Sequence, residues 1–185
     1  MASMAEVLGM TLPQSAAIPA PDTRRKQLAH LTGRRIVQMV HEDLRPSLVM
    51  TQQAFENAIK VLSLIGGSTN AVVHLLALAG RAGVNLTLDR FNAISKHVPM
   101  IANVRPSGKY LMEDFYYAGG IPAVMQELGD LIHRDHITVT GKTVAQNIDG
   151  VKNWNREVIT TVAEPFQKPG GATAVLYGSL APNGA

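Results

Sequence analysis

The chain has 185 residues, 46% of them hydrophobic and 17% charged, with a formal net charge of +3. That balance excludes a disordered chain and fits one sizeable core, while basic residues scattered in pairs such as Arg24-Arg25 and Arg34-Arg35, with aromatics at 5%, do not make a nucleic-acid footprint. No apolar run is long enough to cross a membrane, no basic-then-apolar signal opens the chain, and the lack of any Cys removes disulfides, thiolate nucleophiles and thiolate-held metals.

The expected location is the cytoplasm, or an organelle reached through a presequence. Met1 to Gly9 reads as a short apolar helix closed by its glycine. Pro13, Pro19 and Pro21 make the stretch from Thr11 to Pro21 an irregular connection, because Pro cannot continue a helix. Asp22 is placed to cap a long helix reaching Leu44, with Leu28, Leu31, Ile36, Met39 and Val40 as its apolar stripe. Gly33 interrupts that stripe, leaving one helix or two. Thr51 caps the next, running to about Ile65, although Ala54 stands where a capping box wants Glu or Gln.

Gly66-Gly67-Ser68-Thr69-Asn70 then breaks the chain before an apolar helix from Ala71 to Ala82. Thr87 or Asp89 starts another helix, which ends before Pro99, and Met100 to Val104 reads as a buried strand. Leu111 to Leu128 holds Gly119-Gly120 and Pro122, which predicts a short helix, a break and a second helix. Ile137 to Thr140 alternates like a short strand, Thr143 to Ile148 makes a further helical turn, and Thr173 to Tyr177 is a β-like run before the turn signal Asn183-Gly184.

The Gly66 to Asn70 segment is the most suggestive for chemistry. Two glycines allow close backbone approach, and Ser68, Thr69 and Asn70 fall where a helix start exposes unpaired N–H groups that attract a carboxylate or phosphate. The same residue types are also the commonest plain caps. His74 lies one turn further on, among Val73, Leu75 and Leu76, where a core histidine is the commoner outcome than a catalytic base. Glu113 and Asp114 are adjacent and so point about 100° apart on a helix, which suits helix-start charges better than a paired acid and base. Pro106-Ser107-Gly108-Lys109 lacks the full phosphate-loop pattern. His133 and His136 are three apart, short of a zinc ligand set.

Ala54-Phe55-Glu56-Asn57-Ala58-Ile59 and Gly66 through Leu75 together resemble the central signature of the dihydroxy-acid and phosphogluconate dehydratase family. Pro106 through Phe115 with Ala118 through Val124 is similar to a second signature, and Thr138 through Thr143 and Tyr177 through Gly184 to two more, in the family's order. Met112 through Tyr117 and Trp154 through Glu157 lean toward sugar-acid members such as arabinonate dehydratases. The resemblance implies a hydro-lyase that removes water from a 2,3-dihydroxy acid. A base takes the C2 proton, an iron–sulfur cluster draws off the C3 hydroxyl, and a Mg²⁺ ion holds the carboxylate. Hydroxide is a poor leaving group and the C2 proton is weakly acidic, so charge must be stabilised at both ends.

The family's cluster cysteines, Mg²⁺ carboxylates and catalytic Ser match no position here. The expectation is an internal piece of a longer enzyme, inactive alone, with no catalytic residue or metal ligand of its own, whose parent is a homo-oligomer acting on a small hydroxy acid. Ser68, Thr69, Asn70, His74, Glu113 and Asp114 are the candidates for lining or supporting its site. The expected fold is α/β and mostly helical. Residues 1–150 would form part of the family's N-terminal α/β domain, and residues 151–185 a linker and the first strands of a β-barrel-like domain. A non-catalytic interaction module retaining the scaffold is the alternative.

Overall fold

A computed structural model describes residues 1–170 and 172–185. Helix α1 (Ala2–Val7) is short, and Gly9 closes it at φ 76°. The connection that follows is irregular, as its prolines require, and is tied back by Glu6: its carboxylate accepts from the backbone N–H of Gln14 at 2.6 Å and of Ala16 at 2.7 Å. Asp22 caps α2 (Thr23–His41) through the Arg24 N–H at 2.8 Å.

Helix α2 runs through Gly33 without a break and stops three residues before Leu44. A separate turn, α3 (Pro46–Val49), follows, with Pro at its first position where the missing N–H costs nothing. The stripe expected on α2 does not enter the core. Of its five residues only Met39 is buried, while Ile36 is 54% and Val40 74% exposed. The five positions spread over about half the helix circumference, and α2 meets the body along a much narrower line, held by Met39 and by Arg35, whose Nε donates to the Val139 carbonyl at 2.5 Å.

The core forms around α4 (Gln52–Leu64), capped by Thr51, which packs against α1, α5 (Thr69–Ala82) and α6 (Leu88–Ser95). Phe55, Ala58, Ile59 and Leu62 are buried, and so are Ala54, Val61 and Leu64 on its other sides, so α4 is enclosed rather than amphipathic. Thr87, not Asp89, caps α6, accepting from the Arg90 N–H at 3.2 Å. Helix α7 (Met112–Tyr117) breaks at Gly119 before α8 (Gly120–Leu128), which packs on α1, α7 and α9 (Val144–Ile148). At α9, Thr143 and Gln146 form a reciprocal capping box at 3.3 and 3.0 Å.

The predicted strands are the main correction. Among the described residues pairing is confined to isolated bridges: Met100 with Gln167, Ala102 with Ile159, Val104 with Tyr110, Ile137 with Thr143 and Gly178 with Ala181. Met100 to Val104 is buried and extended as expected, yet one side is taken by the Leu64 carbonyl and the other by the irregular 158–167 segment, so no ladder develops. Ile137 to Thr140 folds into a turn stitched by Thr138, Thr140 and Asn147 side chains. The backbone of the Thr173 to Tyr177 run pairs with Ala185 through two bonds to Leu176 at 2.7 and 2.9 Å, while Val175 joins the core and the Tyr177 hydroxyl donates to Asp89 at 2.6 Å. Val158 and Ile159 are fully buried in the same core as α4. No helix among the described residues is long and apolar enough to cross a membrane.

Candidate functional site

Ser68 is the cap of α5: its hydroxyl oxygen accepts from the Asn70 N–H at 3.2 Å. The helix therefore starts at Thr69, two residues earlier than its apolar pattern suggests. Gly66 has φ 61°, a backbone state that side-chain-bearing residues rarely adopt. A Cβ there would also lie 2.7 Å from the Met100 sulfur and 3.1 Å from the Ser107 hydroxyl, so the loop is pressed onto the segment that carries Pro106 to Lys109.

That second loop is equally constrained. A Cβ at Gly108 would fall 2.4 Å from the Asn103 carbonyl carbon and 2.5 Å from the Val104 nitrogen, both backbone atoms. The Asn103 side chain accepts from the Lys109 N–H at 2.9 Å and donates to the Glu157 carbonyl at 3.2 Å, tying the loop to residues 155–159. Tyr110 donates its hydroxyl to the Glu157 carboxylate at 2.5 Å, and that bond, with burial, pushes the phenol above its ordinary range.

Between the two loops lies a cavity of about 180 Å³, walled by Gly66, Gly67, Ser68, Ala102, Val104, Arg105, Pro106, Met112 and Phe115 among others. Its electrostatics favour an anion. At the start of α5 the Asn70 N–H is taken by the Ser68 hydroxyl and the Ala71 N–H by the Ser68 carbonyl, which leaves the N–H groups of Ser68 and Thr69, and the first turn holds no acidic residue to offset the helix dipole. Arg105 adds a cation to the same wall. The floor from Met112 and Phe115 is apolar, which suits a small organic acid better than a bare ion.

The sequence candidates divide. Ser68 is in the cavity wall, and Thr69 and Asn70 follow it, exposed, in the first turn of α5. His74 is exposed one turn further along, not held in the core, because the buried side of α5 is taken by Ala71, Val72, Leu75 and Ala79. Glu113 and Asp114 are exposed on α7, beside the wall residues Met112 and Phe115 but outside the wall itself. Asp114 has a capping role, its carboxylate accepting from the Leu111 N–H at 2.8 Å. Arg105 was missed. Lys109, the cation of the incomplete phosphate-loop pattern, is not in the wall, whereas Arg105, immediately before Pro106, is.

A second polar cluster explains the Ala54 to Ile59 signature. Asn57 is fully buried and exchanges two bonds with the His133 backbone, donating to its carbonyl at 2.7 Å and accepting from its N–H at 2.8 Å. Glu56 bonds to Arg90 at 2.7 Å, His133 at 3.0 Å and Gln52 at 3.2 Å. Burial raises its carboxyl, but the bonds from Arg90, Gln52 and His133 outweigh that and hold it down at about 2. These residues pin α4 to α6 and to the 132–133 segment, away from the cavity.

A thiolate-held cluster does not fit these residues. The chain has no Cys, and among the described residues no group of three His, Asp or Glu side chains converges on one point.

The sequence matches the family described as dihydroxy-acid/6-phosphogluconate dehydratase N-terminal over residues 1–147. It is 57% identical over 183 residues to an L-arabinonate dehydratase of Rhizobium leguminosarum bv. trifolii, covering 98% of this chain and 31% of that protein. An L-arabonate dehydratase of Azospirillum brasilense is 50% identical over 187 residues, with all of this chain and 32% of that protein covered. A dihydroxy-acid dehydratase of Ignicoccus hospitalis is 49% identical over 187 residues, again over all of this chain and 34% of that protein. The chain thus spans about a third of the length of these curated relatives. With the Gly66 to Asn70 and Pro106 to Asp114 signatures meeting around one anion-favouring cavity and the match running through most of its length, this chain belongs to the dihydroxy-acid/6-phosphogluconate dehydratase family.

Proposed function

We propose that this chain supplies the carboxylate-holding wall of a hydro-lyase that dehydrates an aldonic sugar acid or related 2,3-dihydroxy acid to a 2-keto acid. The observation that carries the proposal is the cavity between the start of α5 and the Arg105 loop. It lies between two signatures characteristic of the dehydratases, in a chain 57% identical to an arabinonate dehydratase. The N–H groups at the start of α5 and the Arg105 guanidinium would take the substrate carboxylate. Ser68, Thr69 and Asn70 would bond its hydroxyls. His74, Glu113 and Asp114, exposed but outside the wall, would act only in support of it.

The reaction also needs a base for the C2 proton and an electrophile for the departing C3 hydroxyl. The wall itself provides neither: its polar side chains are Ser68 and Arg105, with His74 outside it. The chain alone therefore binds but does not turn over. In a longer enzyme the iron–sulfur cluster and Mg²⁺ would be held by other residues, and residues 151–185 would lead toward a β-rich domain.

The test is calorimetric titration of the chain with L-arabinonate, beside a 2-keto acid assay after treatment with iron, sulfide and Mg²⁺. Weak binding abolished by Arg105→Ala or by Ser68→Ala with Thr69→Ala, and no keto acid, is the expected result. Turnover well above the double variant refutes the inactive reading, and binding unchanged in both variants refutes the assignment of the wall.

A further inference from the structure

Between α4 and α6 stands a lysine that its own fold leaves without a counter-ion. Lys60 is half-buried and lies one turn after Glu56 on α4, the spacing at which a carboxylate ordinarily pairs with it. Both Glu56 oxygens are already engaged, one by Arg90 and Gln52 and the other by His133. Among the described residues no ion pair reaches Lys60.

Lys60 lines a cavity of about 360 Å³ that these two helices form with the end of α8. Its apolar wall comes from Ile94, Val98 and Leu128, which all pack on the main core. The other charged or titratable groups in that wall are Glu56, Arg90, His97 and Asp130. Arg90 bonds to Glu56 through one amino group and its side chain is 53% exposed, so the rest of the guanidinium is open to an acid group.

Such surroundings change what the amine can do. Burial in the apolar wall pushes the Lys60 amine below its ordinary range; Glu56 pulls it back, and the Arg90 charge pushes it down again. A larger share of the side chain is then the neutral amine, which carries the lone pair that an ammonium lacks. A desolvated lysine beside a second cation is the arrangement that lets this nitrogen attack a carbonyl carbon. A cavity that combines an apolar wall with a guanidinium selects among carbonyl compounds for a small one that bears a carboxylate.

We propose that Lys60 forms a Schiff base with small 2-oxo acids, whose carboxylate Arg90 receives. The nitrogen lone pair attacks the keto carbon, and a C–N bond forms as the C=O π electrons move to oxygen. That oxygen leaves as water with the two amine hydrogens, giving the C=N bond, and no oxidant or further reactant enters. The site lies apart from the cavity between the start of α5 and the Arg105 loop, so it stands or falls independently of the dehydratase reading.

The test is reductive trapping of the full chain with pyruvate and cyanoborohydride, followed by digestion and peptide mass mapping. Lys60 should gain one pyruvic acid less one oxygen atom, about fivefold faster than any other lysine at about pH 7, with the N-terminal amine as internal reference. Unfolding in urea should erase that preference, and Lys60→Arg should remove the fast adduct while the other lysines label as before. Acetone, which lacks the carboxylate, should be trapped less well than pyruvate at Lys60 by a wider margin than at the N-terminal amine. Arg90→Gln should close that margin with an unchanged circular-dichroism spectrum. Labelling of Lys60 no faster than of the other lysines, or a preference that survives urea, overturns the proposal. Equal pyruvate-to-acetone ratios at Lys60 and the N-terminal amine overturn the role of Arg90. Should Arg90→Gln misfold, the map and the ratio measured on the unaltered chain still decide both.

Discussion

Glu6 makes the stability of this chain depend on pH in a direction unusual for a carboxylate. Its side chain is buried against the 11–16 connection, and burial pushes its carboxyl from 4.5 up to about 7, although the N–H groups of Ala16 and Gln14 and the Ser15 hydroxyl pull it back. The unfolded chain therefore gives up this proton first as pH rises. Stability is fully present below about 4.5 and is lost as pH climbs through about 7. The difference between those two values corresponds to about 3 kcal/mol, a large part of the stability of a domain this size.

The assay is denaturant unfolding from about pH 5 to about pH 8 for the unaltered chain and for Glu6→Gln, whose amide does not titrate there. The quantity to follow is the difference between the two curves. His136, whose half-buried imidazole is pushed below its usual range by burial, contributes the opposite slope and cancels in that difference. The unaltered chain should lose about 2.5 kcal/mol relative to Glu6→Gln across the window, because part of the effect is already lost below about pH 5. Parallel curves refute the reasoning. A relative gain with rising pH would mean that the two N–H bonds outweigh burial.

Two further perturbations follow from close packing and buried bonds. Gly108→Ala places a methyl against the backbone of Asn103 and Val104, which cannot move aside like a side-chain tip, and should cost about 3 kcal/mol; Gly80→Ala, in α5 with nothing within 4 Å, should instead gain about 1 kcal/mol, both read from urea midpoints. Asn57→Ala empties a fully buried position and leaves the part-buried N–H and carbonyl of His133 without partners, and should cost about 3 kcal/mol, with faster amide hydrogen exchange at His133 than in the unaltered chain.

Local signals were sufficient for most helices. Asp22, Thr51, Ser68, Thr87 and Thr143 each accept a backbone N–H at a helix start, because a short oxygen-bearing side chain can reach the first free N–H groups wherever the helix lies. The family likewise was legible in motif strings, and the match over residues 1–147 and the 57% identical relative agree with it. Part of the candidate site was legible too. Gly66-Gly67-Ser68 marks a helix start with unpaired N–H groups, and Ser68 does line the cavity.

What local pattern left open was decided by neighbours far along the chain. The extended Met100 to Val104 segment forms no ladder, because strand formation needs a second regular strand and the chain offers only the Leu64 carbonyl and the irregular 158–167 segment. Arg105 joined the site only when its loop packed against Gly66, a contact that spacing in sequence does not encode. His74 turned to solvent because the core side of α5 was already filled. The stripe on α2 marked Ile36 and Val40 as apolar, but periodicity carries no information about what a face will meet, and tertiary packing leaves them exposed. Caps and motifs are short-range physics that sequence by itself determines; burial, pairing and the convergence of two loops on one cavity are properties of the assembled fold.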